Sequence, residues 1–195
     1  MLKMYQVKTP AAIGPIWFCE ECGLPYEVEV IDLSAEFRSS PEWRALSPTG
    51  KVPVMTDRNF TMCESGAMVD FLVERPGSGN LAPESGTADS ALCRQWCWFG
   101  ESTFAHSPGE LVNHCRIAAE GGSVPFVLED CWARMRHYLD ALEGALAEAD
   151  YLVGNTFGIA NIINDGYSLM LASHHGMVTD HYPNSRVCSV RPGER

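Results

Sequence analysis

Basic residues are scarce in this 195-residue chain, which has 14 Lys and Arg residues against 25 Asp and Glu residues and a formal net charge of −11. Phosphate backbones are bound by clustered Lys and Arg side chains, and no such cluster occurs in the sequence. The composition therefore argues against a nucleic-acid partner. A small anionic ligand remains compatible with it, because a few well-placed donors are enough to hold one.

Long apolar runs are also missing. No stretch approaches the roughly 20 apolar residues that span a bilayer, and residues 1–30 lack the basic segment and apolar run of a secretory signal. We therefore expect a soluble, cytoplasmic protein with no membrane partner. The eight cysteines lie mostly within apolar helical patterns, and we interpret them as reduced thiols.

What the chain does contain is an ordinary globular balance of 46% apolar and 20% charged residues, with no internal repeat. Alternating apolar residues predict strands over 2–7 and 26–31, and a helix over 16–22 that Gly23 ends lies between them. Parallel strands joined by a helix form a βαβ unit. Residues 1–75 are predicted to follow the order β-α-β-α-β-β-α.

The stretch 48–74 is the centre of the functional prediction. Apolar runs at 52–55 and 60–63 flank the polar turn 57–59, which is typical of a hairpin, and a helix is predicted to begin at Ser65. The Ser65 hydroxyl and the first backbone N–H groups of that helix would bind a carboxylate well. Pro53 cannot donate to a strand ladder, which indicates an edge position or an unusual peptide bond.

The second half of the chain changes from a period of two to a period of 3.6 residues, which predicts a helical bundle. Residues 76–90 are rich in Pro, Gly and Ser and are interpreted as a linker. Pro108-Gly109 is expected to kink or end a helix. Two helix faces are predicted, one by Leu92, Trp96, Phe99 and Thr103 and the other by Val127, Cys131, Met135, Tyr138, Leu142 and Leu146.

Several of these residues together resemble the glutathione-binding half of the glutathione transferase family, in its bacterial-type cytosolic form. The resemblance rests on Ser47-Pro48-x-Gly50-Lys51-Val52-Pro53, on Glu64-Ser65-Gly-Ala and on Leu81-Ala-Pro83, which occur in the family's order. It implies a thioredoxin-like, glutathione-binding domain with a mixed sheet at 1–75. A linker at 76–90 and an α-helical domain at 91–195 would follow.

The resemblance also implies site roles. The Val52-Pro53 bond is expected to be cis, and the Val52 backbone would pair with the cysteinyl unit of glutathione as an added strand does. Glu64 and Ser65 would meet the γ-glutamyl end. Lys51 is expected to pair with the glycine carboxylate. Arg38 is a further candidate for that carboxylate; otherwise each of these cations is a solvated surface charge.

Thr9 is the predicted catalytic residue. Glutathione reacts as a thiolate, which the loop after the first strand must stabilise by hydrogen bonding or with a helix N-terminus. Thr9 is the only hydroxyl or thiol between Val7 and the helix. Two alignments to the family are possible, one with Thr9 at the activating position and one with Pro10 or Ile13 there, and the second leaves no activator.

Two further patterns have ordinary explanations. Cys19-Glu-Glu-Cys22 matches a redox motif, but Cys19 lies well inside the predicted helix, so we interpret both thiols as structural. His174, His175 and His181 could be imagined as metal ligands, yet adjacent histidines face different sides of a helix and no partner stands at ligand spacing. We predict no metal.

The sequence departs from the family's pattern near its end. The entry to the family's sixth helix carries Thr and Asp as a capping box, and Gly158 and Asn161 occupy those positions here. Losing the cap costs roughly 0.5–2 kcal/mol, so the fold is expected to be kept but weakened. The last amphipathic helix of the family is expected to be missing after Tyr182.

The resulting prediction is a glutathione transferase that works in detoxification as a homodimer. Its second substrate would be a hydrophobic electrophile or peroxide, with Trp96, Trp98, Phe99 and Phe104 either lining the pocket or packing in the core. The alternative is a non-catalytic glutathione-binding or protein-interaction module with the same fold. A third candidate, a glutathione-dependent reductase, would require an essential cysteine.

Overall fold

The computed structural model describes residues 1–7, 13–32, 34–122 and 124–185. The chain divides into two compact units, Met1–Leu81 and Ala82–Arg195. The finer assignment of residues 76–90 to a linker and of 91–195 to a helical domain stays a prediction.

The first unit contains a four-stranded mixed sheet in the order β2-β1-β3-β4, in which β1 and β2 are parallel and the other pairs are antiparallel. This is the predicted thioredoxin-like layout. Its described elements are β1 (Leu2–Gln6), α1 (Ile13–Cys22), β2 (Tyr26–Val30), α2 (Ala35–Ser39), α3 (Pro41–Leu46), β3 (Val54–Asp57), β4 (Phe60–Cys63) and α4 (Ser65–Val73).

The single helix predicted between β2 and β3 is in fact two short ones. Ser40 separates them, because its side chain accepts a hydrogen bond from the Trp43 N–H at 3.2 Å and so caps α3, while Pro41 supplies the first helical residue.

Helix α1 ends just before Gly23, which adopts a φ of 62°, and the Leu24 N–H donates to the Cys19 carbonyl at 2.9 Å. Gly23 therefore ends the helix as predicted.

The first strand of the hairpin lies two residues later than predicted. We expected it over 52–55 with Asp57 in the turn, but β3 covers Val54–Asp57. Asp57 belongs to the strand because it pairs with Leu2 of β1 and forms an ion pair with Arg75. The turn is therefore shorter, and Arg58 in it has a φ of 56°.

The core of the first unit lies between the sheet and helices α1 and α4. Met4, Phe18, Val54, Met68 and Leu72 are each at most 1% exposed. Burying a side chain of this size contributes about 1.5–3 kcal/mol. The start of α4 is therefore held in place by packing further along the same helix.

The second unit is helical in the described residues. It comprises α5 (Ala88–Trp98), a π-helical segment (Phe99–Phe104), α6 (His106–Ala119), α7 (Pro125–Ala145), α8 (Ile159–Ile163), a second π-helical segment (Asn164–Leu169) and α9 (Met170–His174). Across the described ranges, no helix combines the length and the apolar character that crossing a bilayer needs. Residues 183–185 are helical too, and the residues from 186 onward lie outside the described ones.

The predicted face of α5 is buried only in part, since Trp96 and Phe99 are half-buried. Leu92 is 45% exposed, whereas Cys93 is 4% exposed and Gly100, in the first π-helical segment, is buried. Small residues face the interior here because α8 comes very close: a Cβ at Gly100 would lie 2.9 Å from Ile163 Cγ2. For α7 the prediction is right at its centre, where Cys131 and the positions 135 and 142 are buried.

The helix before Pro108 breaks earlier than predicted. The change occurs at Phe99–Phe104, where the helix widens and the Ala105 N–H donates to the Gly100 carbonyl five residues back, at 3.1 Å. Pro108 then lies in the first turn of α6. It is tolerated there because an N–H in that turn has no intrahelical partner.

Helix α8 begins without a side-chain cap at Gly158, as predicted. No side chain caps α8, and Gly158 adopts an extended conformation before it, with a φ of −163°. The Asn161 N–H donates to the Gly158 carbonyl at 3.0 Å. Helix α8 is nevertheless entirely buried, so packing holds it in place of a capping side chain.

The end of the described chain is anchored on α7 by two carboxylates. Glu143 accepts hydrogen bonds from the backbone N–H groups of Asn184 at 3.0 Å and Ser185 at 2.9 Å, and from the Ser185 hydroxyl at 2.9 Å. Asp140 accepts one from the Tyr182 hydroxyl at 3.1 Å. Four donors are thereby satisfied by two acidic side chains.

Candidate functional site

The predicted binding residues lie at one end of the β3–β4 hairpin. In the antiparallel register Val54 is opposite Cys63. Pro53 immediately precedes the first of these residues and Glu64 immediately follows the second. The pairs Val52-Pro53 and Glu64-Ser65 are therefore neighbours in space although eleven residues or so separate them in sequence.

The Val52-Pro53 peptide bond is cis, as predicted. The pairing of β1 with β3 runs from Leu2 opposite Asp57 to Tyr5 opposite Val54. Val52 thus lies beyond the paired register of these two strands. Val52 is half-buried as a residue.

Helix α4 begins at Ser65, as predicted, and Glu64 occupies its N-cap without a side-chain cap hydrogen bond. The Met68 N–H donates to the Glu64 carbonyl at 3.0 Å, which is the hydrogen bond that closes the first turn of α4. The N–H groups of the turn before Met68 point out of the helix end, where the helix dipole is positive. This is the arrangement that favours an anion.

Glu64 also has unusual backbone geometry. Its φ of 71° lies in the left-handed region, which costs a residue other than glycine about 1–2 kcal/mol. Backbone strain of this kind persists where the surrounding structure imposes it and concentrates at ligand sites. Glu64 is exposed and Ser65 is half-buried at this helix end.

The loop before Val52 is held by Ser47, to which the sequence motif gave no role. Ser47 is completely buried, and its hydroxyl donates to the Lys51 carbonyl at 2.7 Å. The Gly50 N–H donates to the Ser47 carbonyl at 2.9 Å, which closes a turn with Pro48 at its second position. A guanidinium N–H of Arg44 donates to the Pro48 carbonyl.

Lys51 and Arg38, the two predicted cation partners of a carboxylate, are both exposed. The backbone brings them near the same loop: a Cβ at Gly50, the residue before Lys51, would lie 2.9 Å from the Arg38 carbonyl. Thr9, the predicted thiolate activator, lies outside the described residues.

The Cys19-x-x-Cys22 pair does not have the environment of a redox centre. Cys19 is completely buried in α1, and burial raises the pKa of its thiol to about 12. The Cys22 thiol donates to the Ser78 carbonyl at 2.8 Å. Since thiol chemistry proceeds through the thiolate, Cys19 is inert at neutral pH. The prediction that these thiols are structural agrees with this geometry.

A recess of about 380 Å³ lies beside the hairpin, but none of the predicted binding residues lines it. Its walls are residues 45, 46, 48 and 49 together with Thr61, Met62 and Cys63. Burial raises the pKa of the Cys63 thiol, which donates weakly to the Leu46 carbonyl at 3.7 Å. The recess therefore adjoins the hairpin end at Cys63 without including the predicted binding residues.

The aromatic residues proposed to line a substrate pocket have different environments. Phe104 is completely buried and belongs to the core, whereas Trp98 is 70% exposed. Trp96 and Phe99 are half-buried, with ring centroids 5.2 Å apart. In the part of the chain that the structure describes, no group of three or more His, Cys, Asp or Glu residues is arranged to hold a metal ion.

Known proteins show the same architecture. A family model for the glutathione S-transferase N-terminal domain matches residues 10–75. The glutathione S-transferase-like protein gedE of Aspergillus terreus is 32% identical over 154 residues, which cover 73% of this chain and 66% of that protein. Glutathione S-transferase F13 of Arabidopsis thaliana is 23% identical over 186 residues, 92% of this chain and 85% of that protein.

A solved structure extends the comparison to the whole fold. The glutathione transferase URE2P8 from Phanerochaete chrysosporium, crystallised with oxidized glutathione, superposes with a TM-score of 0.88 at 22% identity and covers 100% of this chain and 90% of that one. The fold is therefore a thioredoxin-like unit followed by a helical unit. With these similarities to curated relatives, the chain belongs to the glutathione transferase family.

Proposed function

We propose that the chain binds glutathione at the end of the β3–β4 hairpin and acts as a glutathione transferase. The observation that carries the proposal is the register of the hairpin, which brings the cis Val52-Pro53 bond next to Glu64 and the start of α4. A tripeptide with an anionic γ-glutamyl end fits this combination. Family relatives named as glutathione transferases support it.

Each part of glutathione has a matching group in the proposed site. The Val52 backbone pairs with the cysteinyl unit by strand addition, beyond the register of β1 and β3. The α4 N-terminus and the Ser65 hydroxyl hold the γ-glutamyl carboxylate, and the Glu64 carboxylate attracts the neighbouring ammonium group. The exposed Lys51 ammonium is available for the glycyl carboxylate.

Replacing Ser65 with alanine tests the binding site. Because a charge-assisted hydrogen bond is left unmade, we expect Ser65→Ala to weaken glutathione binding by about 1–3 kcal/mol in titration calorimetry. Ser40→Ala is the matched control, since it removes a helix cap in the same unit without touching the hairpin end. Equal dissociation constants for Ser65→Ala and the wild type would show that Ser65 is only the first residue of α4 and not a ligand-binding group.

Catalysis is proposed to use Thr9, on the sequence alone. The bound glutathione thiolate would attack a hydrophobic electrophile or a peroxide, with the Thr9 hydroxyl stabilising the charged sulfur. Thr9→Ala should raise the pKa of the bound thiol and lower the rate while barely changing glutathione affinity. Thiolate absorbance against pH measures the first effect. A mutant that titrates and turns over like the wild type would contradict this role.

The second candidate is a glutathione-binding module without turnover. Retention on a glutathione matrix together with transferase activity supports the enzyme, whereas retention without activity supports the module. The complete burial of Cys19 disfavours a reductase that would use the Cys19-x-x-Cys22 pair. We further propose a cytoplasmic homodimer that serves detoxification, in which residues 1–75 form the glutathione-binding domain. Sedimentation at micromolar concentration tests the dimer.

A further inference from the structure

The loop 47–51 leads into the Lys51-Val52 peptide bond. The proposed function assigns the N–H group of this bond, that of Val52, to the contact with glutathione. Ser47 lies at the start of this loop, directly after α3, and its N–H is bonded to the Trp43 carbonyl at 2.7 Å. Its side chain is completely buried. The end of α3 therefore holds this hydroxyl in the interior, within reach of the Lys51 carbonyl and of the Cys63 thiol.

The acceptor of the Ser47 hydroxyl is the Lys51 carbonyl, at 2.7 Å. That carbonyl and the Val52 N–H belong to the same planar peptide unit. Because the Lys51-Val52 bond is trans, the N–H points away from the carbonyl and therefore away from the buried hydroxyl. Holding the carbonyl in the interior consequently aims the Val52 N–H outward.

Two other contacts keep the loop in the shape that this hydrogen bond requires. Arg44 donates to the Pro48 carbonyl, and Gly50 adopts a φ of 69° that a residue with a Cβ enters only at a cost. The Gly50 N–H closes the turn onto the Ser47 carbonyl at 2.9 Å. The hydrogen bond from the Ser47 hydroxyl to the Lys51 carbonyl therefore connects this turn to the Val52 amide.

We propose that Ser47 is a positioning residue for glutathione, which acts through the Lys51-Val52 peptide without touching the ligand. This inference rests on the proposed glutathione-binding function and identifies a residue that contributes to the affinity of that site. The hydrogen bond also polarises the peptide, which makes the Val52 N–H a stronger donor. Ser47 thus contributes both the direction and the strength of the strand-like contact.

The test uses the full-length protein, S-methylglutathione as an unreactive probe, and amide NMR. Ser47→Ala removes the donor, and we expect roughly tenfold weaker binding of S-methylglutathione. The amide nitrogen resonance of Val52 should also move upfield, because the carbonyl of its own peptide loses a hydrogen bond. Thr87→Ala serves as the control, since it loses a helix cap in the other unit at a comparable cost in stability.

A second variant keeps the test decisive if Ser47→Ala fails to fold. Ser47→Cys is nearly isosteric and has a weaker donor; it is kept under a thiol reductant, because Cys63 lies within hydrogen-bond reach of residue 47. We expect a dissociation constant between those of the wild type and the alanine variant. Unchanged affinity in a folded Ser47 variant, or an unmoved Val52 resonance, would overturn the positioning role. Absence of binding by the wild type would instead refute the proposed function.

Discussion

Gly50 offers a direct measurement of how tightly the loop before the candidate site is built. Its φ of 69° costs a residue with a Cβ about 1–2 kcal/mol. In Gly50→Ala the new Cβ would also lie 2.9 Å from the Arg38 carbonyl oxygen and 3.2 Å from Arg44 Cζ. The oxygen belongs to the backbone and cannot rotate aside, so overpacking adds about 1–3 kcal/mol.

Gly23→Ala is the matched control. Gly23 has nearly the same backbone conformation, with a φ of 62°, but a Cβ there would meet nothing within 4 Å. It should therefore show only the conformational cost, about 1–2 kcal/mol. The difference between the two variants isolates the steric contact at Gly50.

The assay follows the free energy of unfolding of the first unit by hydrogen exchange of the β3 amides at increasing urea concentration. We expect Gly50→Ala to be destabilised by about 2–5 kcal/mol, the sum of the two costs, and more than Gly23→Ala by about 1–3 kcal/mol. Equal losses in the two variants would show that the Arg38 carbonyl yields easily. The reasoning about a rigid loop would then be refuted.

Two further predictions concern the second unit. Burial alone would raise the pKa of Glu143, but the hydrogen bonds from Ser185 and Asn184 outweigh it and hold that pKa below its ordinary value. The anchor therefore stabilises the chain fully above the unfolded pKa of about 4.3 and is lost as the pH falls through the lower folded value. Glu143→Gln should accelerate proteolysis after α7 at neutral pH. Glu148→Gln, which changes an exposed residue, is the control. Cleavage of Glu143→Gln as slow as that of the control would contradict the anchor. Gly158→Ser should stabilise the protein by about 0.5–2 kcal/mol in urea unfolding by supplying an N-cap, and no gain would mean that packing alone defines the start of α8.

The elements that the sequence predicted well have local causes. The turn residues at 58 and 59, the start of α4 at Ser65 and the end of α1 at Gly23 each follow from the chemistry of one or two residues. The Val52-Pro53 geometry was predicted because a resemblance supplied it. Ser47 lay inside the quoted motif, yet its role depends on a buried contact four residues away, which a sequence pattern does not reveal.

The errors arise where distant parts of the chain decide the outcome. Helix α5 carries two neighbouring stripes that both fit the helical period, and the more apolar one is only partly buried, because Leu92 is 45% exposed while Trp96 and Phe99 are half-buried. The stripe with Cys93 and Gly100 is buried because α8 requires small residues at the crossing. The widening at Phe99–Phe104 has no local signal either, since it accommodates the same crossing.

That widening affects how the segment responds to a change in length. A π-turn holds one residue more than the α-turn it replaces, so removing one residue from Phe99–Phe104 would restore the regular helix and leave the later residues facing the same way. Leu111, completely buried in α6, would stay in the interior. A deletion between His106 and Leu111, where α6 is regular, would instead rotate Leu111 by about 100° toward solvent. The widened turn is therefore the place in this stretch where the loss of a residue disturbs the packing least.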